Sequence, residues 1–432
     1  ELPLVIAAHN LTLEAIPPAT ADRAAEWYHG DTHVLADDGD SGNLTLWLDG
    51  RAEQGLAMAQ AAAISLPQDM KPVEVKLVKN DYRLALNLLV AVRKGQTYTF
   101  TKFVAASREG WGGDARADLA LATAARNHGF AALLDAHKSA WAELWKSDIR
   151  IDGDPKAQRA VHSDLYYLLS NVPPDTSWSP GACGMATGYV GHIFWDGDSW
   201  IFPALLLQHP DYAKSLVMFR DRTLPAARQN AHAAGFQGAK YPWEADPENG
   251  TEQILHAAWI LGRSEIHVDA DVAIAQWQYW LATHDKQWLR AHGWPVIRAV
   301  AEFWTSRVTP NEKMQRYDIE HVTSVEENYY DVPNDTFTNL EVVKVLNIAT
   351  TAAALVGYRP DPRWADIAAK LYIPFSTPEN RHLDMDESVK HDTSSDLTFL
   401  AFPSLDAPMS PQVRRNDFKF AVDPREASEG VP

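Results

Sequence analysis

The chain has 432 residues, more than one ordinary domain holds, and its 46% apolar and 22% charged residues give a globular balance with a large core. Its 39 Lys and Arg against 57 Asp and Glu leave a net charge of −18, which repels phosphate backbones and anionic bilayers, so nucleic acid and membrane surfaces are excluded as partners. A single cysteine, Cys183, closes no internal disulfide and rules out a cysteine-rich metal site.

Residues 1–110 read as β. Leu44 to Leu48, Val73 to Leu77 and Tyr98 to Phe103 alternate or run apolar, with turns at Asn80-Asp81 and Lys94-Gly95. Part of an antiparallel β-sandwich is predicted. Past Gly110–Gly113 the spacing turns helical, and 111–153 reads as a helical linker. Phe130, Leu133, Leu134, His137, Trp141, Leu144 and Trp145 form one stripe there. The remainder, 154–432, is one helical domain. Helices are predicted at 155–171, with Pro155 in its first turn, and at 199–208, 211–232, 266–284, 286–291, 294–307, 336–356 and 361–371. No run approaches about 18 apolar residues, the length a bilayer span needs. Long polar loops at 173–193, 235–255, 308–335 and 372–395 separate the helices, and loops of that length usually carry function. Residues 404–432 are Pro-rich and charged and read as stopping without a helix cap or a folded end. Helices joined by alternating short and long loops suggest a closed ring of helix pairs with the long loops at one mouth.

The 16 Trp, 14 Tyr and 14 Phe suit either large helix–helix cores or the stacking of sugar rings. Four loop clusters carry candidate chemistry. Phe194-Trp195-Asp196 with Asp198 is either a helix N-cap or a sugar subsite, with Trp195 as platform and Asp196 taking hydroxyls. Trp243-Glu244, followed by Asp246 and Glu248, is either a solvated acidic loop or a second such pair. Glu265 and His267 open a helix, where a carboxylate is favourable in any case; an isolated His is no convincing metal ligand. Glu326-Glu327, flanked by Tyr329 and Tyr330, can raise one carboxyl by burial and by repulsion between neighbours, and a carboxylic acid protonated near neutrality is what a glycosidic leaving oxygen requires. The sequence has no nucleophile elbow, dinucleotide fingerprint, P-loop or zinc-protease motif.

In order along the chain, these clusters resemble glycoside hydrolase family 65. The resemblance runs over about 115–425 and includes His137 to Trp145, Gly191 to Asp196, Gly235 to Glu244, Glu265 to Val268, Trp294 to Arg307, Phe337 to Asn339 and Ser410 to Arg415. It implies an (α/α)6 barrel behind the sandwich and an inverting exo-α-glucosidase acting on a small α-glucoside of the kojibiose, trehalose, nigerose or glucosyl-galactose type. Glu327 falls on the family's general acid, with Asn328 where a Tyr is usual. Phe194, Trp195, Asp196, Trp243, Glu244, Glu265, His267 and Lys390 fall on or near its sugar contacts. A segment inserted after Lys390 and a missing Gln set this chain apart.

In the hydrolases of the family the general base is a downstream Glu, and the expectation is that it lies outside this chain. On that reading the chain is an internal piece, and companion chains or further segments complete sandwich and barrel. Water is the expected nucleophile, with no metal or cofactor. A phosphorylase releasing glucose 1-phosphate and a non-catalytic sugar-binding relative are the alternatives. Mild acidity and one Cys suit a periplasmic or secreted enzyme. Asn10, Asn43, Asn249 and Asn334 head glycosylation sequons that matter only in a eukaryote.

Overall fold

The computed structural model describes residues 2–7, 32–52, 56–80, 83–108, 110, 112–184, 188–254, 259–327, 329–386, 397, 400 and 405–421. The chain divides into two compact units, Glu1–Lys146 and Ser147–Pro432.

The first unit is built on antiparallel sheets. Strands β1 (Leu2–Ala7), β5 (Glu74–Asn80) and β6 (Arg83–Val92) pair in the order β1-β6-β5. Strands β2 (Thr32–Asp40), β3 (Thr45–Ala52), β4 (Ala57–Ser65) and β7 (Thr101–Arg108) form the second sheet in the order β2-β3-β4-β7. Alternate residues of β6, Leu84, Leu86, Leu88 and Val90, meet Leu46, Ala62 and Ile64 of the other sheet in one core, as the two-residue period of a strand requires. Helix α1 (Ala115–His128) begins at Asp114, whose carboxylate caps Arg116 N at 2.7 Å, and it buries Ala115, Asp118 and Ala122. Helix α2 (Phe130–Leu144) buries no residue; its His137 meets Trp141 edge-on, and Trp141 stacks on Trp145 just past the helix end. The segment read as a linker therefore belongs largely to the first unit.

The second unit is helical: α3 (Pro155–Asn171), α4 (Phe202–Gln208), α5 (Pro210–Ala233), α6 (Trp259–Ser264), α7 (Val268–Thr283), α8 (Lys286–Trp288), α9 (Trp294–Arg307), α10 (Thr336–Val356), α11 (Pro362–Lys370) and α12 (Pro411–Ala421). Among the described residues it also has two short hairpins, β8 (Thr309–Asn311) with β9 (Arg316–Asp318), and β10 (Phe375–Ser376) with β11 (Arg381–His382). Helices α7, α9 and α10 pack on one another and α5 packs on α7 and α9. Every residue from Val268 to Gln276 is buried, which explains why α7 is apolar nearly all round instead of along one stripe. Helix α10 has the length and hydropathy of a bilayer span, but 61% of that stretch is buried and it carries buried Asn339 and Glu341, as a core helix does. The 235–239 turn crosses α9 closely. Gly238, at φ 76°, leaves no room for a Cβ, which would lie 2.1 Å from Ala299 O.

Helix α12 falls inside the Pro-rich, charged stretch 404–432, where no helix was placed by the sequence reading. Ser410 Oγ accepts from Val413 N at 3.2 Å, Pro411 follows at the first helical position, and Asp417 binds His382 through both backbone N (2.9 Å) and Nδ1 (2.8 Å).

Candidate active site

The first two clusters are joined by a two-residue antiparallel pairing. Ile193 N donates to Ala245 O at 2.9 Å and Ala245 N to Ile193 O at 2.8 Å. This sets Phe194-Trp195-Asp196 beside Trp243-Glu244, with Phe194 edge-on to Trp243 at 5.0 Å. His192 Nδ1 contacts Glu244 Oε1 at 2.7 Å. Glu252, absent from the sequence reading, fixes the second pair from behind. Its carboxylate accepts Trp243 N at 2.9 Å and Glu244 N at 3.0 Å.

Asp198 is an anchor and not a subsite residue. Its buried carboxylate takes Arg220 Nε at 3.1 Å, and the Arg220 Nη2 reaches on to Phe194 O at 3.2 Å. The pair ties the loop ahead of α4 to the middle of α5. Phe194 is itself buried, so it supports Trp243 from beneath. Asp196 is only partly buried, and burial raises its carboxyl, with Asp271 adding repulsion.

The third cluster differs from expectation at one residue. The His267 ring is 0% exposed and has a carboxylate on each side: Asp271 Oδ2 at 2.9 Å from Nδ1 and Glu265 Oε1 at 3.2 Å from Nε2. Trp195 stands edge-on to it at 4.8 Å and Phe337 at 5.2 Å. Both nitrogens are engaged, so His267 offers nothing to a sugar, and its place is behind Trp195. Glu265 is buried, which raises its carboxyl, and the Trp243 side chain lies beside it.

The fourth cluster is stapled to the third. Thr323 N donates to Ser264 O at 2.9 Å, and the two hydroxyls meet at 2.7 Å. A short ladder follows, Val322 with Val332, then Ser324 O accepting Glu327 N at 2.9 Å. Glu327 sits at the tip with φ 57°. Its side chain keeps an exposed face, yet its carboxyl is pushed up to about 7, first by partial burial, then by Glu265 and Asp196, with His267 opposing. The sequence reading expected the repulsion to come from Glu326. The charges that act are Glu265 and Asp196, from other loops, and Glu326 instead repels Asp384. Beyond this loop, Asp335 caps α10 by accepting Thr338 N at 2.8 Å and Thr338 Oγ1 at 2.6 Å.

Lys390 lies outside the described residues, as does Asn328. Behind the site, a cavity of about 950 Å³ is lined by Glu252, Ser264, Arg263 and Arg307 and by none of the expected sugar contacts.

The site thus gathers aromatic faces and several carboxylates, among them Glu327 with its carboxyl pushed up to about 7. The family model described as the glycosyl hydrolase family 65 central catalytic domain matches residues 162–407, and that of the family's N-terminal domain matches 17–144. The chain belongs to glycosyl hydrolase family 65. It is 42% identical over 318 residues to a kojibiose hydrolase of Mucilaginibacter mallensis, covering 71% of this chain and 45% of that protein. It is 36% identical over 302 residues to a protein-glucosylgalactosylhydroxylysine glucosidase of Gallus gallus, covering 66% and 42%. The chain therefore spans under half the length of either relative. A solved structure from the human microbiome, described as a kojibiose phosphorylase, shares the fold with a TM-score of 0.71 at 18% identity, over 89% of this chain and 53% of that one.

Proposed function

We propose that this chain carries the acid half of an inverting exo-α-glucosidase, in the first part of an (α/α)6 barrel, and that its substrate is a small α-glucoside of the kojibiose, trehalose, nigerose or glucosyl-galactose type. The observation that carries the reading is the convergence of Trp195-Asp196, Trp243-Glu244, Glu265 and Glu327 through contacts distant in sequence, with the Glu327 carboxyl raised to about 7. Trp195 and Trp243 present indole faces to the glucose ring. Asp196 and Glu244 accept its hydroxyl protons. Glu327 delivers its proton to the glycosidic oxygen as the bond breaks. A second carboxylate activates water on the opposite ring face, about 6.5–9.5 Å away, as inversion requires. We assign it to sequence outside these residues, as we do the segments that complete sandwich and barrel.

Glu327→Gln tests the assignment. Turnover should fall by about 10²–10⁴-fold, while circular dichroism and glucoside binding persist; near-normal turnover would remove Glu327 from the role. Kojibiose, trehalose, nigerose and maltose assayed with and without phosphate separate the alternatives. Glucose formed without phosphate supports hydrolysis. Strictly phosphate-dependent release of glucose 1-phosphate makes the protein a phosphorylase, and binding without turnover makes it a sugar-binding relative.

A further inference from the structure

Behind the sugar-facing residues lies a group of acids that the proposed reaction does not use. His267, Asp271 and Glu341 are 0%, 2% and 0% exposed, and one donor atom from each lies within 4.8 Å of the others. Such convergence would suit a cation, but the hydrogen bonds point elsewhere. An imidazole with a carboxylate on each nitrogen holds a proton on both and has no lone pair for a metal. Asp271 is filled on its other oxygen by the Ser199 hydroxyl. Glu341 is different: both its oxygens are buried and no N–H or O–H donor reaches either. An ionised carboxylate cannot be left so, because an unpaired buried charge is among the costliest features of a protein interior. The Asp271 carboxylate lies within 4.8 Å and is a hydrogen-bond partner for it.

We propose that Glu341, Asp271, His267 and Glu265 form a buried proton-sharing chain. In it Glu341 is a neutral carboxylic acid donating to Asp271, His267 is an imidazolium between Asp271 and Glu265, and Glu265 is thereby held ionised and oriented toward Glu327. His267 and Glu341 are then positioning residues, and Glu265 is the fixed anion that keeps the acid protonated. This rests on the reading of Glu327 as the general acid. The groups facing each member fit. Glu341 meets Asp271 and His267, with Lys344 one turn along α10; Glu265 meets His267, the Trp243 side chain and more distantly Asp271; Glu327 meets Glu265, His267 and Asp196. The buried acids outnumber the one imidazolium among them, so at least one must hold a proton, and Glu341 is the member with no other donor.

Two measurements on the intact protein test this. Infrared difference spectra of wild type against Glu341→Gln at about pH 7, where ordinary carboxyls are ionised, should show loss of one protonated-carboxyl C=O band. Absence of that band from wild type, with a stoichiometric divalent metal found by mass spectrometry, would overturn the proposal in favour of a cation. Glu265→Gln should lower the pH of the upper limb of kcat by about one unit, a tenfold change in proton affinity at Glu327. A raised KM with an unmoved limb would make Glu265 an ordinary sugar ligand and end its proposed role. If Glu327→Gln stays active, the acid assignment fails, but the infrared result still decides whether Glu341 is protonated.

Discussion

Asp198→Asn should destabilise the helical unit by about 3–5 kcal/mol, the cost of breaking a buried ion pair and stranding one charge. The substitution keeps the size of the side chain, removes its charge and turns one acceptor oxygen into a donor. Arg220 is 1% exposed, its Nη1 already lacks a partner, and Asp198 supplies acceptors to Nε and Nη2. An amide at that place puts an NH₂ against the guanidinium and leaves a full positive charge among Phe219, Tyr241 and the Phe194 carbonyl. Urea unfolding is the assay. With slopes of about 1–3 kcal/mol/M, the midpoint should fall by more than about 1 M with the slope unchanged. Asp198→Leu combined with Arg220→Met should recover much of the loss, since the hydrophobic pair needs no desolvation of charge. Because Arg220 also holds Phe194 O, kcat/KM should fall at least about tenfold, or 1.4 kcal/mol. A shift under about 1 kcal/mol for Asp198→Asn would show that the guanidinium is not confined as described, and the reasoning would fail.

On the proposed assignment the protonated form of Glu327 is the active one, and its carboxyl is pushed up to about 7. Activity should therefore persist as pH falls toward neutrality and decline as pH rises through about 7; a decline already complete near an ordinary glutamate value, about 4.3, contradicts the site. Glu252→Ala strands the N–H groups of Trp243 and Glu244, at about 1–3 kcal/mol each. Steady-state kinetics should show KM raised well beyond any fall in kcat, and an unchanged KM would free the second Trp-acid pair from Glu252. Gly238→Ala places a Cβ 2.1 Å from Ala299 O at a left-handed φ; thermal melts should show a loss of at least about 3 kcal/mol, and a near-normal Tm would mean the crossing is looser than described.

Most helices of the second unit were legible because their boundaries are chemical: Asp154 before Pro155, Asp335 before Thr336, Asp361 before Pro362. Strand β4 was not. Its sequence, Ala-Met-Ala-Gln-Ala-Ala-Ala-Ile-Ser, favours helix locally, and it is a strand because β3 and β7 pair on both sides and leave room for little beyond Ala59, Ala61, Ala62 and Ala63. At the candidate site, loop composition and resemblance named Trp195, Asp196, Trp243, Glu244, Glu265 and Glu327, residues from four loops that the structure brings together. Their supports could not be read from either. Nothing local in the sequence marks Glu252 as a backbone acceptor, Arg220 as the partner of Asp198, or Asp271 and Glu341 as neighbours of His267. Adjacency misled in the fourth cluster. Glu326 touches Glu327 in the chain, but a left-handed residue at Glu327 sends the two carboxyls to different neighbours.

That backbone conformation bears on function independently of any resemblance. His321, Glu327, Asp331 and Asn334 all have φ between 52° and 58°, and none is glycine. Left-handed conformations cost such residues about 1 kcal/mol or more each, so four in one loop persist only if the surroundings hold them. The surroundings do: Val322 and Val332 exchange both backbone hydrogen bonds, Asn334 N donates to Ile319 O at 2.7 Å, and Ser264 binds Thr323 twice. A solvated acidic linker would relax to ordinary angles. This one is buried at Val322, Thr323, Ser324 and Val325 and, past the half-buried Glu326, exposes Glu327 beside charges from two other loops. The fold thus holds the Glu327 carboxyl in one exposed place beside charges from two other loops, which supports the proposed acid role.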